Sequence, residues 1–131
     1  KTKLIKSKCE FLNPYINQNA DMAVNHGEGR FYASSYIIKK IENQNQVVFR
    51  YVDENGKPTM SYPQNPSGTT NAIAGICDIT GRILGLMPHP EKFVDETQHP
   101  NWRRDRFLSA DRQIKNQQAG FVIKSLIDYI K

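Results

Sequence analysis

Two short apolar runs around a tight turn constrain the fold of this chain more than any other feature. Ala72–Cys77 and Arg82–Met87 each have the length of a strand, and the turn-forming residues Asp78–Gly81 separate them. Such a pattern predicts two neighbouring strands. Pro88 and Pro90 follow at once. Because proline cannot donate a hydrogen bond to a sheet, they stop the second strand abruptly.

His89 and Glu91 stand on the stiff loop that these prolines create, where α/β proteins commonly hold their chemistry. Residues i and i+2 of an extended segment point to opposite sides, but a bend at the prolines would let the carboxylate reach the imidazole. A carboxylate on one ring nitrogen fixes the tautomer and leaves the other nitrogen as a base. Taken alone, the pattern fits an exposed turn histidine better than a catalytic pair, so the other motifs have to decide.

Further strands are predicted upstream of this hairpin. Gln46–Asp53 is rich in β-branched and aromatic residues, and the turn Asp53–Gly56 would let Lys57–Tyr62 return as the second strand of a hairpin. Asp21–Val24 predicts a short strand that leads into a glycine-punctuated loop.

A loop and a helix complete the predicted α/β domain. Pro63–Gly68 contains two prolines and a glycine, which predicts an ordered loop. In the tail Asp111–Lys131, apolar residues recur at spacings of three, four and seven, which predicts an amphipathic helix. Ser109 or Asp111 could cap its start, whereas Gly120 weakens its middle.

The composition fits one globular domain of 131 residues. The net charge is +5, but the basic residues are spread along the chain. A solvated basic surface is therefore favoured, and a basic nucleic-acid-binding module stays as a minor alternative. No apolar run approaches the roughly 20 residues of a membrane helix, and the basic start lacks the apolar stretch of a signal peptide. We expect no nucleic-acid partner and no membrane association.

A series of short motifs occurs in a fixed order along the middle of the chain. They are Asn25–Phe31, Val48–Asp53, Asn65–Thr69, Ile73–Ile76, Gly81–Gly85 and Met87–Glu91. In this order they resemble the glutaminase subunit or domain of phosphoribosylformylglycinamidine synthase, a class I glutamine amidotransferase. The resemblance is specific from about Asp21 to Lys92, looser through His99–Trp102 and the terminal helix, and poor over residues 1–20.

The resemblance implies a fold and a reaction. Residues 1–131 would form the C-terminal portion of a flavodoxin-like amidotransferase domain with added antiparallel hairpins. His89 and Glu91 would complete a Cys-His-Glu triad, in which the cysteine attacks the glutamine amide and forms a thioester. The released ammonia would pass to a synthase subunit or domain, which uses ATP and Mg to aminate formylglycinamide ribonucleotide in purine synthesis. No cofactor or metal is expected on this chain, and the location is expected to be cytoplasmic.

A substrate site at the glycine-rich loop is also implied by the resemblance. In related amidotransferases the loop at this place holds the amino-acid end of glutamine. That role falls here on Asn25, His26, Gly27 and Glu28. A glycine lets backbone amides approach a ligand closely. A plain flexible loop is the alternative interpretation.

Two further segments are candidates for contact with the synthase partner. Asn65–Thr69 is either a simple turn or a loop that faces the partner and the ammonia path. Trp102, followed by Arg103 and Arg104, is either a partner contact or a core tryptophan. Trp and Arg are common anchors of interfaces.

The nucleophile is where this sequence departs from the family pattern. The family cysteine lies on a tight glycine-flanked elbow, but Cys9 has no glycine near it and Cys77 belongs to the predicted hairpin. Both are expected to be free thiols, because neither has CxxC spacing. Cys77 is also expected to be structural, since small apolar residues pack well at a hairpin end. The elbow is expected upstream of Lys1, so residues 1–131 would be a partial domain. A non-catalytic amidotransferase-like module that only binds a partner is the main rival.

Overall fold

The computed structural model describes residues 1–27, 29–108 and 118–131. Its centre is a five-stranded sheet with the strand order β2-β1-β3-β4-β5, and every pairing in this sheet is antiparallel. The strands are β1 (Thr2–Leu4), β2 (Asn19–Ala20), β3 (Val47–Tyr51), β4 (Ile73–Cys77) and β5 (Leu84–Leu86). The α/β class is confirmed, with the antiparallel hairpins forming the described sheet.

Helices cover part of this sheet and its ends. Short 3-10 helices occupy Glu10–Tyr15, Thr70–Ala72, Pro90–Lys92 and Glu96–Gln98, and the α-helices are α1 (Ser35–Asn43), α2 (Trp102–Leu108) and α3 (Gly120–Ile130). None of the helices in the described ranges is long and apolar enough to cross a membrane.

The hairpin of β4 and β5 has the predicted strands and turn. Cys77 pairs with Leu84, and Gly75 pairs with Leu86. The Asp78 carboxylate closes the turn by accepting hydrogen bonds from the backbone N–H groups of Arg82 at 2.9 Å and Ile83 at 3.0 Å. Gly81 has a φ of +74° and sits so close to the Lys8 carbonyl that a Cβ would overlap it. Only glycine meets both demands, so this turn fixes the hairpin against the N-terminal segment.

The main core forms where the sheet meets the Glu10–Tyr15 segment. Tyr15 stacks on Phe121 of α3 with ring centroids 5.1 Å apart. The buried cluster contains Leu4, Cys9, Phe11, Leu12, Val48, Phe49, Tyr51, Ala72, Ala74, Cys77 and Val122. Apart from Cys9, these side chains come from three strands, two 3-10 helices and α3, so the core joins both ends of the chain.

Helix α1 was not anticipated from the sequence. Ser34 caps it by accepting a hydrogen bond from the backbone N–H of Ile37. Both oxygens of the Glu42 carboxylate, near the end of this helix, accept from Nη2 of Arg50 on β3, at 2.5 and 2.6 Å. Glu42 also accepts from the Asn71 side chain at 2.6 Å. These polar contacts therefore hold α1 to the sheet. None of the α1 residues is buried.

Two predicted strands are not regular strands in the structure. Lys57–Tyr62 makes only an isolated bridge, between Val52 and Pro58. It cannot extend along β3, because β1 and β4 already occupy both edges of that strand. In the turn, the Asp53 carboxylate accepts hydrogen bonds from the backbone N–H groups of Asn55 and Lys57, both at 2.9 Å. Asp21–Val24 likewise makes one isolated bridge, between Ala23 and His89. Pro63–Gly68 is a loop, as predicted.

The predicted tail helix is shorter than expected. Residues 109–117, which include both proposed caps, lie outside the described residues. The helix begins at Gly120, because the Ala119 N–H donates to the Phe93 carbonyl at 2.8 Å and is not part of a preceding helical turn. Gly120 thus starts the helix and does not weaken its middle. The outer face of α3 is largely apolar and exposed, with Ile123, Leu126, Ile127 and Ile130.

Candidate active site

The predicted His89–Glu91 pair is hydrogen-bonded. His89 Nδ1 lies 2.7 Å from Glu91 Oε1, and the two side chains are 38% and 55% exposed. This hydrogen bond is the main reason why the pKa of Glu91 is below its ordinary value. An ionised carboxylate can only accept, so Nδ1 carries the hydrogen, and in the neutral imidazole Nε2 then has the lone pair. The predicted contact is confirmed, while its catalytic role stays a proposal.

Backbone bonds bend the chain so that this pair can meet. The Met87 N–H donates to the Ala74 carbonyl at 3.0 Å, which extends the β4–β5 ladder to the end of the strand. The His89 N–H then donates to the Ala23 carbonyl at 2.8 Å, on a different segment. Pro90–Lys92 immediately forms a 3-10 turn. The turn folds Glu91 back over the ring of His89, which an extended path would not allow.

The glycine-rich loop packs directly beside this pair. A Cβ on Gly29 would lie 2.5 Å from Met87 Cε and 2.6 Å from Cγ of His26. Glycine is favoured at this position, because a Cβ would overlap the His26 ring as well as the more easily moved end of Met87. Gly27 differs, since no atom lies within 4 Å of a Cβ built there. Crowding thus explains why residue 29 is a glycine, although the substrate-site prediction did not include it. Crowding does not explain the glycine at position 27.

Three of the four predicted substrate-loop residues are described. His26 Nε2 lies 3.2 Å from the Ser67 hydroxyl. With its amide oxygen turned toward Lys92, Asn25 accepts a hydrogen bond from the lysine ammonium group. Glu28 lies outside the described residues. The loop thus lies close to the dyad segment, because Gly29 meets Met87 and Asn25 meets Lys92. Glutamine binding by these residues remains a proposal.

Two cavities flank the dyad segment. One, of about 280 Å³, is lined in part by Ala23, Lys92 and His99. The other, of about 320 Å³, lies over β4 and β5 and is lined mainly by apolar groups such as those of Leu86 and Met87. Met87 lines one of these cavities and Lys92 the other, so open space lies on two sides of the segment that carries His89. Each cavity has room for a ligand of modest size.

The family is decided by a match over nearly the whole chain. Residues 2–122 match the model of the CobB/CobQ-like glutamine amidotransferase domain. The chain belongs to this family. The resemblance inferred from the ordered motifs is thereby confirmed.

Relatives of this amidotransferase chain carry one recurring name. This chain is 51% identical over 81 residues to phosphoribosylformylglycinamidine synthase subunit PurQ of Dehalococcoides mccartyi. The match covers 62% of this chain and 30% of that subunit. The chain is 46% identical over 78 residues to phosphoribosylformylglycinamidine synthase of Drosophila melanogaster, covering 59% of this chain and 6% of that protein. The matched regions are thus a minor share of each relative.

A solved structure supports the fold of this amidotransferase chain. The structure of PurLQS from Thermotoga maritima superposes with a TM-score of 0.60 over 99% of this chain and 45% of that chain. The sequence identity is 22%, so this likeness concerns the fold alone.

The two cysteines of the amidotransferase chain are poor nucleophiles. Cys9 is fully buried and Cys77 is 3% exposed. Burial raises the pKa of the Cys9 thiol to about 12, and it also raises the pKa of Cys77. A catalytic cysteine needs an accessible thiolate with a lowered pKa. Their environment therefore agrees with the expectation that neither is the nucleophile and that Cys77 is structural.

Some contacts at the site were not visible in the sequence. Ser67 approaches His26 across 41 positions of the chain, and no local spacing signals such a contact. Trp102 is half-buried, and the Arg103 guanidinium lies 5.3 Å from the centroid of its ring. This placement leaves both interpretations of Trp102 open.

Proposed function

We propose that the protein containing this chain is the glutaminase of phosphoribosylformylglycinamidine synthase. It would hydrolyse glutamine in the cytoplasm and supply ammonia to a synthase partner, which consumes ATP with Mg to aminate formylglycinamide ribonucleotide. The 2.7 Å hydrogen bond between His89 and Glu91 carries this proposal. The shared name of the relatives supports the choice of pathway.

His89 has the geometry of a general base in this reaction. Its free Nε2 takes the proton of a cysteine thiol, and the thiolate attacks the side-chain amide carbon of glutamine. His89 returns the proton to the leaving nitrogen, so ammonia departs and a thioester remains. Nε2 then deprotonates a water molecule that attacks the thioester, and glutamate and the free thiol result. Glu91 stabilises the imidazolium that forms in each half of the cycle.

The nucleophile is assigned to a part of the protein other than residues 1–131. Burial of both thiols supports this assignment. The loop of Asn25, His26, Gly27 and Glu28 would hold the amino-acid end of glutamine. Residues 1–131 would then supply the base, its orienting carboxylate and part of the substrate site.

A non-catalytic partner-binding module remains the second candidate. The observation that favours it is the burial of the two cysteines, since among the residues that the structure describes no thiol is exposed. The two candidates differ in one measurable respect, because only the glutaminase depends on the imidazole of His89.

Glutamate release from glutamine by the amidotransferase, assembled with its synthase partner, tests this difference. His89→Ala should lower the rate by at least about a thousandfold, because the general base is lost. Lys57→Ala serves as the control, since it shortens an exposed side chain in the turn after β3 and should keep most of the activity. Equal activity of the wild type and His89→Ala would refute the proposed mechanism.

A further inference from the structure

Two loops distant in sequence meet beside the dyad. We call residues 25–27 and 29–31 the glycine loop, and Pro63–Thr69 the proline loop. The Ser67 hydroxyl of the proline loop lies 3.2 Å from His26 Nε2 of the glycine loop. The Thr70 N–H, directly after the proline loop, donates to the Phe31 carbonyl at 2.9 Å. The glycine loop is thus tied to the proline loop at both of its ends.

The proline loop is the rigid member of this pair. Asn65 is only 2% exposed, and its side-chain oxygen accepts from the Thr69 N–H at 2.9 Å. Its amide nitrogen donates to the Thr69 carbonyl at 3.1 Å. Because a buried amide with its hydrogen bonds satisfied is costly to displace, Asn65 and Thr69 fix the backbone on both sides of Ser67. The hydroxyl of Ser67 therefore has a defined position.

The glycine loop has fewer constraints of its own. A Cβ at Gly27 would meet no atom within 4 Å. The His26 ring, by contrast, packs on Gly29, and Gly29 packs on Met87, two residues before His89. The orientation of His26 thus determines how the loop lies against the strand that leads to the dyad. Ser67 is the polar partner of this ring among the hydrogen bonds of the described residues.

We propose that Ser67 is a positioning residue for substrate binding. By holding the ring of His26, it keeps the glycine loop packed against Met87 in the conformation that receives the amino-acid end of glutamine. This rests on the proposed glutaminase function. Ser67 acts through His26 and lies outside the His89–Glu91 pair, so its loss should weaken binding of the substrate more than it slows the chemical step.

The kinetic test uses the amidotransferase assembled with its synthase partner. Ser67→Ala should raise KM for glutamine about fivefold to tenfold, the factor expected from one hydrogen bond, and change kcat by less than about twofold. Ser67→Thr retains the hydroxyl and should restore much of the wild-type KM. Ser61→Ala removes an exposed hydroxyl just before the proline loop and should leave both constants unchanged. An unaltered KM in Ser67→Ala, with an active wild type, would overturn the inference.

A structural test on the complete amidotransferase separates this inference from the proposed function. In NMR spectra, the His26 ring should show nuclear Overhauser contacts to Gly29 and to the Met87 methyl group. Ser67→Ala should weaken these contacts, whereas Ser61→Ala should preserve them. Contacts that persist unchanged in Ser67→Ala would sink the positioning role, whatever the activity. An inactive wild type with the expected loss of contacts would refute only the glutaminase function.

Discussion

The reactive side chains of this chain lie in two opposite environments. His89 and Glu91 are 38% and 55% exposed and are bonded to each other. Cys9 and Cys77 are 0% and 3% exposed and belong to the hydrophobic core. The hydrogen bond from His89 holds the pKa of Glu91 below its ordinary value, whereas burial raises the pKa of Cys9 to about 12. Environment thus separates an accessible histidine–carboxylate pair, the proposed base and its orienting group, from two thiols that burial disfavours as nucleophiles.

Glutaminase activity of the isolated chain would contradict this contrast between the dyad and the cysteines most directly. Residues 1–131 alone should release no measurable glutamate from glutamine, because loss of a triad nucleophile can cost on the order of a millionfold in turnover. Glutamate production by the purified chain is the measurement, with its His89→Ala variant as control. Hydrolysis that depends on His89 would show that Cys9 or Cys77 is the nucleophile.

The second prediction concerns the carboxylate of the dyad. Glu91→Gln keeps the size of the side chain but removes the negative charge that stabilises the imidazolium. We expect kcat of the assembled enzyme to fall about a hundredfold to ten-thousandfold. Glu10→Gln, which neutralises an exposed glutamate elsewhere on the chain, should have little effect. If both variants retain full turnover, Glu91 is only a surface partner of His89.

The smallest expected effect is that of a core thiol. Cys77→Ala should leave glutaminase activity of the assembled enzyme within about twofold of wild type, because the side chain only packs. The free energy of unfolding should fall by about 1 kcal/mol, since a small buried group is removed. Denaturant unfolding and steady-state kinetics measure the two quantities. A large loss of activity with unchanged stability would return Cys77 to the list of nucleophile candidates.

Local patterns predicted the parts of the structure that depend on local interactions. The hairpin of β4 and β5 follows from two apolar runs and a turn, and the bend at Pro90 brings His89 to Glu91. The prediction of a second strand in the upstream hairpin was wrong, because β1 and β4 already occupy both edges of β3. The sequence pattern did not reveal this competition between distant strands.

Contacts between distant segments lay beyond prediction from a single sequence. Helix α1 had a recognisable signal, the cap at Ser34, but its place in the fold depends on the ion pair between Glu42 and Arg50. The contact of Ser67 with His26 requires two loops that converge only after the sheet has formed. The resemblance to a family drew attention to both loops, but only the structure brings them together.

The burial of Cys9 and Cys77 also makes them internal reporters of structural opening. A thiol reagent can reach either sulfur only when the surrounding packing separates, so the rate of labelling measures how often that happens. Cys77 ends β4, and Cys9 directly precedes the Glu10–Tyr15 helix. Comparing the two labelling rates under native conditions would therefore show whether the sheet and the N-terminal segment open together or one before the other.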